Sequence, residues 1–121
     1  MKPKYHLAKN FSYALNGILI FIKREYSARI LLCITGLVLS ASFYFRLSPL
    51  EWIAVIGCIG LVLATELMNS AIEMVVDKIW PDHDEAAGKI KDLAAGAVLL
   101  TSLAAALIGC IIFLPKLIGL L

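Results

Sequence analysis

Residues 30–45 and 93–115 carry no charged side chain, and residues 52–72 carry only one, Glu66. This pattern constrains the chain more than any other feature. Water is a poor solvent for such runs. A bilayer core about 30 Å thick is crossed by about 20 predominantly apolar residues in a helix. In hydrocarbon a single chain segment satisfies its backbone hydrogen bonds only as a helix. Composition agrees: 61% of the 121 residues are hydrophobic, against roughly 45–50% in soluble domains. We therefore expect an all-α membrane protein forming a single domain over residues 1–121. Spans are read at 29–47, 51–79 (with an extension beyond the membrane) and 91–115. The first run is short, and Arg29 and Arg46 at its ends are placed to snorkel to the two interfaces. Three spans and a late first run do not fit a cleaved leader. Cys33, Cys58 and Cys110 all fall in apolar stretches, which argues against a disulfide framework and for small buried hydrophobes.

Charge sets the expected orientation. Lys2, Lys4, Lys9, Lys23, Arg24 and Arg29 lie before or at the start of the first span, and Lys78, Lys89 and Lys91 lie between the second and third. Excess Lys and Arg mark the cytoplasmic side, so the N-terminus and the 77–92 segment are expected there. Tyr44 and Trp52 then fit an aromatic belt at the opposite interface. Residues 1–25 differ from the spans. Lys2, His6, Lys9, Asn16 and Lys23 share one helical stripe, and Leu7, Phe11, Leu15, Ile18 and Ile22 share another. This predicts an amphipathic helix lying on the leaflet surface. Trp80-Pro81 is expected to stop the second helix, with Asp82 or Asp84 capping the next. His83 reads as a solvated loop histidine.

The stretch "ELMNSAIEMVVD" at 66–77 carries the chemistry. Glu66, Asn69, Ser70, Glu73 and Asp77 recur at three- and four-residue spacing, so they share one helix face. An ionisable residue in a span costs about 2.5–3.5 kcal/mol at the helix centre by insertion scales, and such residues usually face other helices and serve a function. The stripe descends from lipid depth toward water. A carboxylate at the lipid boundary suits a general base for a lipid hydroxyl. Carboxylates in the wet zone suit Mg²⁺, which takes oxygen ligands and arrives with nucleotide phosphates. Lys91 and Asp92 open the third span at the same height, and Glu25 ends the surface helix there. Together these groups suit phosphate transfer from a nucleotide to a membrane alcohol. No GxxxxGK[ST], GxGxxG or HExxH motif occurs. Two other readings compete. Asn69 and Ser70 could be interhelical glue, which leaves three acids in register unexplained. A proton-coupled transporter also keeps a lone Glu in a span, but its acids would not continue into the cytosolic zone.

The same stretch resembles the signature of the prokaryotic diacylglycerol kinase family, and "KDLAAGAVL" at 91–99 resembles the family's second block. The order of surface helix, three spans and acidic inner loop is similar too, so the resemblance covers nearly the whole chain. It implies a trimeric bundle, a homotrimer in the bacterial plasma (inner) membrane with its N-terminus cytoplasmic and its active sites shared between subunits. It implies ATP as donor, Mg²⁺ as cofactor, a membrane lipid alcohol as acceptor, and no nucleic-acid partner. By matching position Glu66 is the catalytic base, and Glu25 and Glu73 hold metal. Asn69, Asp77, Lys91, Asp92, Tyr13 and Gly17 line the ATP and phosphate site. Ala14, Arg29 and Ser70 line the lipid site. The sequence departs from the family pattern at His6, at Ala14 (a serine in some members), near Leu31, and in the loop "DHDE". "LSPLEW" and "IIFLPKL" are similar to the branch that phosphorylates undecaprenol, whereas "KNFSYALNGI" resembles the diacylglycerol branch. Diacylglycerol is the expected acceptor, with undecaprenol the alternative.

Overall fold

In the computed structural model, which describes residues 7–121, four helices follow one another with no strand among the described residues. They are α1 (Leu7–Arg24), α2 (Tyr26–Tyr44), α3 (Pro49–Ile79) and α4 (Glu85–Ile118). The helix expected over residues 1–25 is described from Leu7 on. Its stripe positions Lys2 and His6, and the basic Lys4, lie outside the described residues.

α2, α3 and α4 are each long and apolar enough to cross a membrane, and the protein is an all-α membrane protein. At 1.5 Å per residue the 31 residues of α3 and the 34 of α4 are about 46 and 51 Å long. Both outreach a hydrocarbon core of about 30 Å, so each has an end in water. α4 begins at Glu85, ahead of the uncharged run, because its first turns are polar and capped rather than lipid-soluble.

The connections follow from local chemistry. Between α1 and α2 only Glu25 leaves helical geometry, with φ −102° and ψ 122°. The carbonyls freed at the end of α1 need donors. Arg29 provides them from the first turn of α2, its Nε donating to Ile22 O at 3.2 Å and a terminal nitrogen to Lys23 O at 3.1 Å. α2 ends in a tight reversal with Arg46 at φ 52°. There the Leu47 amide donates to Ser42 O and the Arg46 amide to Phe43 O, both at 3.3 Å. This is a Schellman pairing with arginine in the left-handed position usually held by glycine. Ser48 then caps α3: its hydroxyl accepts from the Glu51 amide, while Glu51 accepts from the Ser48 amide, and Pro49 opens the helix. Of the two aspartates offered by the sequence, Asp84 is the cap of α4, accepting from the Ala87 amide at 2.8 Å.

α3 and α4 form the main packed pair, and α2 touches α3 along a narrower strip. The buried cluster lies at the Ser48 end. Leu47, Val55 and Ile112 are covered by Val38, Phe45, Trp52, Ile108 and Phe113, among others. Phe43 meets Trp52 edge-on at 4.9 Å between ring centroids. Lys116 and Glu51 pair at 3.2 Å beside it. One end of the bundle is thus pinned by packing, which leaves α1 and the opposite ends of α3 and α4 to build the polar site. Leucines and isoleucines along all three spans remain exposed, as a hydrocarbon solvent or neighbouring helices permit.

Candidate functional site

The acid stripe lies on α3. Glu66 is 17 positions beyond Pro49, so about 25 Å along the axis. With the capped end at one interface, that depth is near the opposite edge of a core about 30 Å thick. Glu66, Asn69 and Glu73 are half-buried, and Ser70 is buried. Asp77, two turns beyond Ser70, is exposed. The row therefore grades from protein interior to solvent.

Two polar contacts organise it. Asn69 Nδ2 donates to Glu73 Oε1 at 3.2 Å. The other end of that amide, Asn69 Oδ1, is buried and has no hydrogen-bond partner among the described residues. Reversing the amide would point its oxygen at the Glu73 carboxylate, so the orientation follows from charge. A buried acceptor without a donor costs about 1–3 kcal/mol, which suits an oxygen meant for a ligand. Further out, Lys91 of α4 pairs with Asp77 of α3 and so stands at the mouth of the stripe. Asp92 is exposed, beside a shallow open depression on α4 shared with Lys89, Gly96 and Ala97.

Glu25 joins the row from outside α3. The α1–α2 break places it between two helices that each contact α3. Three carboxylates are thus contributed by two segments, Glu66 and Glu73 by α3 and Glu25 by the break. They do not by themselves form a finished metal cage: no group of three His, Cys, Asp or Glu among the described residues is close enough to hold an ion. The oxygen donors present are Glu73, the free Asn69 Oδ1 and, nearby, Glu25. That set fits Mg²⁺, which is commonly held by one or two carboxylates with phosphates and water completing the shell.

Other residues predicted from the sequence are placed differently. Arg29 is committed to the α1 carbonyls and holds the Glu25 corner. Tyr13, Ala14 and Gly17 lie along α1, all exposed. A Cβ added to Gly17 would meet nothing within 4 Å, so that face of α1 is open. Sequence reasoning passed over one polar contact at membrane depth. The hydroxyls of Thr65 and Thr101 lie 2.9 Å apart across α3 and α4. The available signal was a threonine next to Glu66 and another, beside Ser102, in the otherwise apolar run of α4.

Comparisons with known proteins converge on one family. The profile described as prokaryotic diacylglycerol kinase matches residues 12–113. An undecaprenol kinase of Bacillus subtilis (strain 168) is 38% identical over 109 residues, covering 90% of this chain and 89% of that protein. A diacylglycerol kinase of Haemophilus influenzae is 32% identical over 95 residues, 78% of this chain and 80% of that one. A diacylglycerol kinase of Escherichia coli (strain K12) is 38% identical over 60 residues, about half of each chain.

Proposed function

Because the chain belongs to the prokaryotic diacylglycerol kinase family, we propose that its acid stripe transfers the terminal phosphate of ATP to the hydroxyl of a membrane lipid. The observation that carries this reading is the gradient along α3. A half-buried carboxylate at lipid depth stands three turns from the Asp77–Lys91 pair at the exposed end of the stripe, so a lipid alcohol and a nucleotide can meet along one helix face. Glu66 is the general base, accepting the proton of the lipid hydroxyl as the hydroxyl oxygen attacks the γ-phosphorus, the bond to the bridging oxygen breaks and ADP leaves. Glu73, Asn69 Oδ1 and Glu25 hold Mg²⁺, which when bound screens charge on the nucleotide phosphates. Lys91 exchanges Asp77 for a phosphate oxygen. Asp92 lines the same mouth, and Tyr13 and Gly17 bound the nucleotide from the open face of α1. Ala14, Ser70 and the Arg29 corner border the lipid. The transporter reading finds no support among the relatives.

We place the protein in a bacterial plasma membrane with α1 and the 77–92 segment cytoplasmic, where ATP is. That orientation rests on the lysines and arginines at those ends. We also infer a homotrimer. Exposed apolar side chains along α2, α3 and α4 offer surface for neighbouring copies, and the family resemblance supports three.

The acceptor divides two readings. Diacylglycerol follows from the resemblance of the N-terminal segment and the description of the family. Undecaprenol is favoured by the relative from Bacillus subtilis, which matches more of the chain at higher identity than the relative from Haemophilus influenzae. Mixed micelles with γ-labelled ATP and both lipids decide between them. The account expects label in at least one lipid, and label in neither refutes a lipid kinase.

A further inference from the structure

We propose that the Thr65–Thr101 hydrogen bond is a positioning device for Glu66, setting the rotation of α3 about its own axis. The inference rests on Glu66 being the base.

Three side-chain ties join α3 to α4: Glu51–Lys116 near the capped end, Asp77–Lys91 at the opposite end, and Thr65–Thr101 between them. The outer two use lysines, whose long stems tolerate rotation of either helix. The middle tie is short. Each hydroxyl is one bond from Cβ on a β-branched side chain with few allowed rotamers. Each also touches the carbonyl a turn back on its own helix, Thr65 on Val62 O and Thr101 on Val98 O, both at 3.0 Å. Two hydroxyl protons serve three contacts, so one threonine donates across the seam while the other donates to its own backbone. Either arrangement locks both side chains.

Glu66 follows Thr65 directly, so it projects about 100° further around the helix. Whatever pins Thr65 to α4 therefore fixes the direction of Glu66, about 100° around the helix from that seam. A helix with its side chains has a radius of about 5–6 Å, so a rotation of about 10° shifts a carboxylate by about 1 Å. A displacement of that size can cost as much as about a hundredfold in rate.

The test replaces hydroxyl by methyl at equal volume. Thr65→Val and Thr101→Val, singly and together, are assayed in micelles for kcat, KM for ATP and thermal midpoint, beside Thr65→Ser and Glu66→Gln. The expected result is a fall in kcat of about tenfold in each valine variant. KM for ATP stays within about twofold, the double variant is no worse than either single one, and Thr65→Ser recovers most of the rate. Should one valine variant fail to fold, the other carries the same test. A lowered thermal midpoint with kcat per folded protein unchanged marks a purely structural tie and overturns the inference. So does unchanged kcat in the valine variants beside an inactive Glu66→Gln. Full activity of Glu66→Gln sinks the base assignment first, and the positioning role with it.

Discussion

At the scale of single residues, the site is a division of labour among oxygens that differ in depth. Glu73 is held by the Asn69 amide, which leaves Asn69 Oδ1 as a spare acceptor. Glu73→Gln keeps the shape but removes the charge proposed to face Mg²⁺. The account expects a rise of at least about tenfold in the Mg²⁺ concentration for half-maximal rate, because hydrogen bonds and contacts to charged groups carry about 1.5–3 kcal/mol. A magnesium titration of the purified variant measures it, and an unchanged midpoint removes Glu73 from the metal site. Lys91→Met removes the cation at the mouth. KM for ATP is expected to rise about tenfold with kcat less affected, as read from initial rates. The stripe itself was legible in the sequence, because a 3.6-residue period needs no tertiary information. The Asn69–Glu73 bond and the Thr65–Thr101 pair were not, because rotamers and the facing of two helices are set by packing.

At the scale of elements, the helices owe their ends to a few local devices. Ser48→Ala removes half of the capping box on α3, a loss of about 0.5–2 kcal/mol. Thermal unfolding in detergent is expected to move down while activity per folded protein stays, since Ser48 lies at the end of α3 away from the acids. Arg29→Ala is expected to behave in the opposite way. It frees the carbonyls of Ile22 and Lys23 and loosens the corner that carries Glu25, so activity should fall more steeply than stability. Comparing the two variants by kcat and thermal midpoint separates a cap from a site support. The uncharged runs announced three crossings in the sequence, and Trp80-Pro81 announced the end of α3. The sharp α1–α2 break was harder to read: it contains neither glycine nor proline, and the Arg29 guanidinium, four positions on, makes it possible.

At the scale of the whole molecule, one chain leaves much of its surface to its surroundings. Its core gathers at the capped end, the apolar faces of its spans are largely uncovered, and its carboxylates fall short of a metal cage. The account expects a particle of three chains by mass measurement in detergent, with activity lost when dilution produces monomers. Fully active monomers would show that one chain completes the site alone. Most directly tested is the central claim, that Glu66 on the acid row of α3 takes the proton during phosphate transfer to a lipid. The measurement is the rate of label transfer from γ-labelled ATP into micellar lipid by the folded protein and by Glu66→Gln. The account predicts a loss of at least about a hundredfold, the size usual for a missing general base. A Glu66→Gln protein that phosphorylates lipid at the original rate contradicts it.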